Sequence, residues 1–486
     1  MNWNLSEMVR LFSGDKASRL LLKGKWGLEK EALRVDENGD LALTDHPVAF
    51  GDKLENPNIT TDFSESQIEI ITPPLDSIEE SYDYLHQIQT FVEQSLDSEL
   101  LWPLSMPGLL PEEEDIPLAQ YNGSHSGNEK EIYRSGLALR YGKKMQMISG
   151  IHYNFSFHPD FWEHIRLKFS PTKEQSEFVN EAYFGFARNF LRYRWMLTYL
   201  FGASPVKNRD NKSDELVENC TFNKDWANLH SNATSYRMSN FGYETSQQKD
   251  VAVSFNNLKD YIRDLRKVLT TRVDAYSDLG VYNDGKQVQL NDFILQSENE
   301  YYSPVRFKQI LKSGETQLSA FEQRGIKYME LRCFDLDPYE KLGINLEQLY
   351  FVQIFALFCL FEESHRMTPE EAQVASRNTQ LTALEGRKNG LELENMDGSK
   401  ITLKNWGGDI LEKMREIAKL MDKAAGGTRY QKTIQMQSQK MDNSQLVPSA
   451  KILDSMQKND FNHEEFGLVR AKENICVTEK EAMWAS

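Results

Sequence analysis

Four short segments of this chain alternate between apolar and ionisable residues, and that alternation limits the possible fold more than any other feature. In an extended strand successive side chains point to opposite faces, so residues two apart share one. Within Trp26 to Val35 (WGLEKEALRV), Glu29 and Glu31 project together while Leu28 and Ala32 face away. Gln67 and Glu69 oppose Ile68 and Ile70 in Gln67 to Thr72, and His152 and Asn154 oppose Ile151, Tyr153 and Phe155 in Met147 to Phe157. Glu330 and Arg332 likewise oppose Met329 and Leu331 in Ile326 to Asp335. One such strand is explained by an antiparallel sheet with a wet side. Four of them, with like charges side by side, require something that compensates the repulsion.

Around these strands, apolar residues recur at three- and four-residue intervals near 5–23, 77–98, 128–141, 173–200, 255–271, 345–364 and 407–424, which predicts packing helices. Helices and strands mix without a βαβ rhythm, so the expected class is α+β with a largely antiparallel sheet. The Asn38-Gly39 pair after the first strand marks a hairpin turn. No repeat, low-complexity tract or long Pro/Gly/Ser linker divides the 486 residues, so one catalytic domain over 1–486 is expected. From about Gln437 the apolar content thins, and that C-terminal segment is expected to be peripheral helix and extended chain.

The net charge of −17 argues against a broad grip on nucleic acid or an anionic membrane surface. Anionic ligands then need local basic residues or metal ions. Cys220, Cys333, Cys359 and Cys476 form no CxxC pair, which indicates neither a structural zinc site nor a disulfide framework and suits a reducing cytoplasm. The N-terminus lacks a basic start and an apolar core, so no export is expected. The most apolar stretch, Leu349 to Phe361, is too short to span a bilayer.

With Asp62, just before the second strand, the ionisable set becomes Glu29, Glu31, Asp62, Glu69, His152 and Glu330. Hard oxygen ligands with a single imidazole suit Mg²⁺ or Mn²⁺ better than zinc, and metal-bridged phosphate binding follows. Arg237, Arg306 and Arg332 are candidates for an anionic ligand, because a planar guanidinium pairs with carboxylate or phosphate at two points. Arg332 is the best placed, beside Glu330 on its strand. Gly280 to Lys286 has P-loop spacing, but Gln287 replaces the Ser/Thr that would hold Mg²⁺, and Asn283-Asp284-Gly285 is a turn, so the match is fortuitous. No GxGxxG fingerprint opens a helix and no serine nucleophile elbow is present.

Several runs carry a family resemblance: Gly27-Leu28-Glu29-Lys30-Glu31-Ala32-Leu33-Arg34, Ile59 through Asp62 and Glu69 to Pro73, Trp102-Pro103-Leu104-Ser105-Met106-Pro107, and Ile148 to Ser156. Tyr199 to Pro205, Ala233-Thr234-Ser235-Tyr236-Arg237, Glu298 to Arg306 and Tyr328-Met329-Glu330-Leu331-Arg332 extend it. In order, from about residue 20 to 455, they resemble the proteobacterial-type glutamate–cysteine ligases (γ-glutamylcysteine synthetases), and several also resemble the ligase half of bifunctional glutathione synthetases. The resemblance implies a glutamine-synthetase-like fold, an antiparallel sheet cradle surrounded by helices, with ATP as cosubstrate and Mg²⁺ (Mn²⁺ as substitute) on its inner face. It implies that glutamate is activated as γ-glutamyl phosphate and then captured by cysteine, the first step of glutathione biosynthesis. No ATP-grasp domain follows, so the expected product is γ-glutamylcysteine, made by a cytoplasmic enzyme expected to be a monomer without nucleic-acid or membrane partners.

By the same resemblance, Glu29, Glu31, Asp62, Glu69, His152 and Glu330 are metal ligands and Arg332 is the catalytic contact to the transferring phosphate. Arg237, with Gln146 and Ile148 nearby, holds glutamate. Tyr133, Tyr243 and Tyr302, with Phe63, Arg134 and Leu137, resemble the cysteine pocket. The stretch Val206 to Leu229 and the chain after about Lys458 depart from the family pattern, which leaves acceptor access open. A ligase of this fold using another amine, or a non-catalytic nucleotide- or amino-acid-binding homologue, are the alternatives. The second is disfavoured because all six candidate ligands are present.

Overall fold

The computed structural model describes residues 3–121, 123–208, 226–227, 231–242 and 253–485. Strand alternation builds its main sheet. The strands are β1 (Gly24–Val35), β2 (Ile59–Thr61), β3 (Gln67–Ile71), β4 (Leu100–Leu101), β5 (Ile151–Phe157), β6 (Val305–Lys308) and β7 (Tyr328–Phe334). They lie in the order β6-β7-β5-β1-β3-β2, with β4 beside the end of β1, and all these pairs are antiparallel. The α+β expectation holds at that level. Gly39, at φ +91°, turns the chain after β1 back to a bridge between Val35 and Leu41.

Register decides what shares a face. Glu29 stands opposite His152, Glu31 opposite Glu69, Glu330 opposite Asn154, and Arg306 opposite Glu330. A one-residue slip in any pair would send its ionisable groups into the core, so the apolar faces fix the site's composition. Those faces, with Leu28, Ile70, Tyr153, Phe155, Leu331 and Phe307, pack under the helices Ile78–Ser95, Gln175–Tyr193 and Leu346–Phe361. Phe184 meets Phe307 at 4.3 Å and Phe186 meets Phe155 at 5.4 Å between ring centroids. The helix Leu346–Phe361 is enclosed on every side from Phe351 to Phe361, where Gln353 is the one polar residue. Among the described residues no helix is long and apolar enough to cross a membrane.

Two expectations need adjusting. The helical pattern near 5–23 breaks at Ser13-Gly14 into Leu5–Leu11, Asp15–Ser18 and a 3₁₀ turn at Arg19–Leu22. The described chain beyond Gln437 is almost wholly helical, with the helices Arg429–Asp442, Pro448–Asn459 and His463–Ala485 in place of extended segments. Ile452, Met456 and Phe466 from the last two join Leu33 and Trp102 in a second apolar cluster. The P-loop-like run is the tip of a small hairpin pairing Tyr282–Asn283 with Lys286–Gln287, and Asp284 and Gly285 take positive φ there.

Candidate active site

The ionisable face of the sheet forms the floor of a cavity of about 370 Å³, within the usual range of small-molecule sites. Glu29, Glu31, Asp62, Glu69, His152, Glu330 and Arg332 all line it, although they come from four strands and a turn. Arg237, Gln146, Phe63, Tyr133, Arg134, Leu137 and Tyr302 complete much of its wall. One anticipated residue among those described is not on that wall. Ile148 is buried behind it in an apolar cluster with Met106, Ala233 and Tyr236, and Tyr243 lies outside the described residues, as does most of the divergent stretch between Val206 and Leu229.

His152 is the hub. Its Nδ1 lies 3.0 Å from Glu29 Oε2 and its Nε2 3.4 Å from Glu31 Oε1. Glu29 Oε1 accepts a 2.8 Å hydrogen bond from Asn154 Nδ2, and Glu31 Oε2 accepts one of 2.9 Å from the Gly150 amide. Ligand atoms of Glu29, His152 and Glu330 all lie within 4.8 Å of one another. One Glu330 oxygen and Asn154 Oδ1 are buried without a hydrogen-bond partner. Buried acceptors normally find partners. An oxygen-rich set with unsatisfied acceptors is the donor chemistry of a hard divalent cation, so these residues fit Mg²⁺ or Mn²⁺.

Charge is graded across the sheet. At the β6–β7 side, Lys308 Nζ is 3.7 Å and Arg332 Nη1 3.1 Å from Glu330. Burial pushes the Glu330 carboxyl up, but Lys308, Arg332 and Arg306 outweigh it and hold the group well below the usual range. At the β3 side burial raises Glu69 strongly, and the Glu29, Asp62 and Glu31 carboxylates raise it further. Glu31 is raised for the same reasons, burial first and Asp62 next among the groups that raise it. One end therefore favours phosphate and the other favours cations.

Arg237 reaches the floor from the loop 231–242. Its Nη2 donates to the Arg332 carbonyl at 3.0 Å, and its Nη1 is 3.8 Å from Asp335, which in turn binds the Ala203 amide and the Ser204 hydroxyl. A side-chain Cβ at Gly150 would collide with this guanidinium, so that glycine gives the arginine its path.

Lys130, Tyr141, Met145, Asn299, Glu300 and Lys308 also line the cavity and were not anticipated. For Lys308 the signal was present: Val305-Arg306-Phe307-Lys308 alternates as the other strands do, over only four residues. The rest reach the site through tertiary packing.

Comparison with known proteins agrees with this arrangement. The glutamate-cysteine ligase family matches residues 9–382. A glutamate–cysteine ligase of Clostridium acetobutylicum is 48% identical over 480 residues, covering 97% of this chain and all of that protein. One from Janthinobacterium is 41% identical over 95% of this chain and 87% of its own. Among solved structures, the Francisella tularensis glutamate–cysteine ligase in complex with AMP superposes with a TM-score of 0.86 at 35% identity, over 94% of this chain and 89% of that one. A bifunctional glutathione synthetase from Pasteurella multocida gives 0.76 at 28% identity, over 95% of this chain and 53% of its own. With the sheet, its charged face and these relatives in agreement, the chain belongs to the glutamate–cysteine ligase family.

Proposed function

We propose that the cavity joins the γ-carboxyl group of glutamate to the amine of cysteine, with ATP as cosubstrate, as the first step of glutathione biosynthesis. The observation that carries this reading is the convergence of five carboxylates and one imidazole with Arg332 and Arg237 on one face of the sheet. A γ-carboxylate oxygen of glutamate bonds to the γ-phosphorus of ATP as the bond to ADP breaks. The cysteine amine then attacks the acyl carbon of γ-glutamyl phosphate, phosphate leaves, and the amine loses a proton.

Each residue has a physical task in this scheme. Glu29, Glu31, Asp62, Glu69, His152 and Glu330 would hold divalent cations. Bound Mg²⁺ would neutralise the ATP phosphates and orient the γ-phosphoryl group. Arg332, braced by Glu330, balances charge on the transferring group from a half-buried position on the cavity floor. Arg237, set by Asp335 and the Arg332 carbonyl, pairs with a glutamate carboxylate beside Gln146. Tyr133, Tyr302, Phe63, Arg134 and Leu137 form the acceptor pocket, to which Tyr243 would also belong. The cradle shape supports a glutamine-synthetase-like fold and one catalytic domain with a peripheral C-terminal segment. Buried free thiols at Cys333 and Cys359 support a cytoplasmic enzyme, and we take it to act as a monomer.

The test is ADP release from purified protein with Mg-ATP and glutamate, using cysteine, 2-aminobutyrate and other amines as acceptors, with the product identified by mass spectrometry. Highest kcat/KM with cysteine and a γ-linked dipeptide is expected. Better turnover with another amine would keep the chemistry and change the acceptor. No release with any acceptor would overturn the enzymatic reading.

A further inference from the structure

At the cavity wall, an arginine behind the lining pairs with Glu300, which lines the cavity, in a buried ion pair for which the reaction scheme has no role. Arg140 is on the last turn of the helix His125–Tyr141, its side chain is fully buried, and it does not line the cavity. Its guanidinium donates to Gln289 Oε1 at 3.0 Å, to the Asn291 carbonyl at 2.6 Å and to the Phe293 carbonyl at 3.1 Å, and it stacks 4.2 Å over the Tyr276 ring. It also donates to Glu300 Oε1 at 3.2 Å, an oxygen that accepts from the Tyr141 hydroxyl at 2.6 Å. The other Glu300 oxygen takes the Gln296 amide, and the Gln296 side chain donates to the Tyr133 carbonyl at 3.2 Å. Gly136 lies so close that a Cβ there would collide with the Gln296 amide group.

The helix and the 289–300 segment are thus bolted together chiefly by Arg140, with Tyr141 and the Gln296–Tyr133 contact beside it, and each carries or leads into an acceptor-pocket tyrosine. Tyr133 lies two helical turns before Arg140, and Tyr302 lies two residues after Glu300. We propose that Arg140, acting through Glu300, is a positioning residue that sets the spacing between Tyr133 and Tyr302 and so determines which amine the enzyme accepts. The inference rests on the acceptor-pocket assignment above. Buried pairs of this kind cost desolvation and are weak sources of stability, and specifying one arrangement of two elements is their better-attested use. A planar five-donor fork suits it, since each donor here fixes a different point of the segment.

The test compares steady-state kinetics of Arg140→Lys, Arg140→Met and the double variant Arg140→Met/Glu300→Gln with the parent enzyme. The double variant leaves no uncompensated buried charge, so it remains informative where Arg140→Met fails to fold. The expected result is a KM for cysteine raised about tenfold or more, since small misplacements carry costs of this order, and a reduced preference for cysteine over 2-aminobutyrate. The KM values for ATP and glutamate should stay within about twofold, as the clasp touches neither of their sites, and Arg140→Lys should be intermediate. A parallel rise in all three KM values, or unchanged acceptor discrimination in the folded double variant, would overturn the proposal by reducing Arg140 to a packing role. Tyr302→Ala separates the two failures: if it leaves cysteine kinetics unchanged, the pocket assignment itself is wrong and the clasp falls with it.

Discussion

Strand β1 buries charge on both of its faces, in opposite ways. On the helix-covered face, Lys30 is buried with its ammonium 2.6 Å from Gln89 Oε1 and the Glu93 carboxylate nearby. Gln89 is itself anchored to Glu93 and the Lys341 carbonyl. Burial lowers the Lys30 ammonium to about 8, and the Glu93 carboxylate of the protein itself works against that shift. On the other face, Glu29 and Glu31 belong to a crowd of carboxylates that raises Glu69, and one Glu330 oxygen lies buried without a hydrogen bond, 3.7 Å from Lys308 Nζ. A charge paired within the protein is architecture. Carboxylates crowded close enough to raise one another, beside buried acceptors without hydrogen bonds, call for partners from outside, and that contrast separates fold from function within twelve consecutive residues.

The contrast breaks most severely at Glu330, the carboxylate that stands beside Arg332 and Lys308 on the cavity floor. Glu330→Gln should lower kcat by about a thousandfold, since electrostatic groups at a transferring centre are commonly worth that much, and should also lower Tm, because Arg332 and Lys308 lose their buried counter-charge; steady-state kinetics and calorimetry on one preparation check both. Gly150→Ala should displace Arg237 and raise the KM for glutamate by roughly 10- to 100-fold, leaving the KM for cysteine less affected. Titration sharpens the comparison further. Glu69 and Glu31 have raised values in the folded state, so the metal-free fold binds more protons than the unfolded chain just above the usual carboxylate range. These two groups therefore make metal-free stability fall as pH rises through that window, and Mg²⁺ should raise Tm more at about pH 7.5 than at about pH 5.5. An increment independent of pH would detach these carboxylates from the metal.

Lys30→Met should be the mildest change, because an apolar side chain of similar length replaces a group whose burial already costs desolvation; stability should shift by no more than about 2 kcal/mol, with kcat unchanged. Lys30 falls to about 8 from the ordinary 10.5, so the unfolded chain holds its proton longer. This residue's contribution to stability accordingly rises with pH between those values. Denaturation of parent and variant across that interval should show the rise lost on substitution.

Much of the sheet was legible because strand parity is a property of the backbone. Once Glu29, Glu31, Glu69, His152 and Glu330 alternate with apolar residues, burial of the apolar faces forces them together. Sequence could not supply the register placing Arg306 opposite Glu330, or the path of Arg237 past Gly150. The helix Pro369–Glu385 escaped notice because its buried residues are small or polar, Ala375, Asn378, Thr379, Thr382 and Ala383, although Thr368-Pro369 is a good helix start. The C-terminal helices were faint for a similar reason, each lending the core a narrow stripe. Glu300 and Arg140 are 160 positions apart, and nothing local links them.

The central claim is that the charged face of the sheet holds divalent cations for phosphate chemistry. Its most direct test is Mn²⁺ binding measured by electron paramagnetic resonance, with and without nucleotide, for the parent protein, Glu29→Gln and Lys30→Met. The account predicts a dissociation constant raised roughly tenfold or more in Glu29→Gln, the range expected for a lost ligand or its support, and no change in Lys30→Met, one residue away on the opposite face. Equal Mn²⁺ affinity in all three proteins would contradict it.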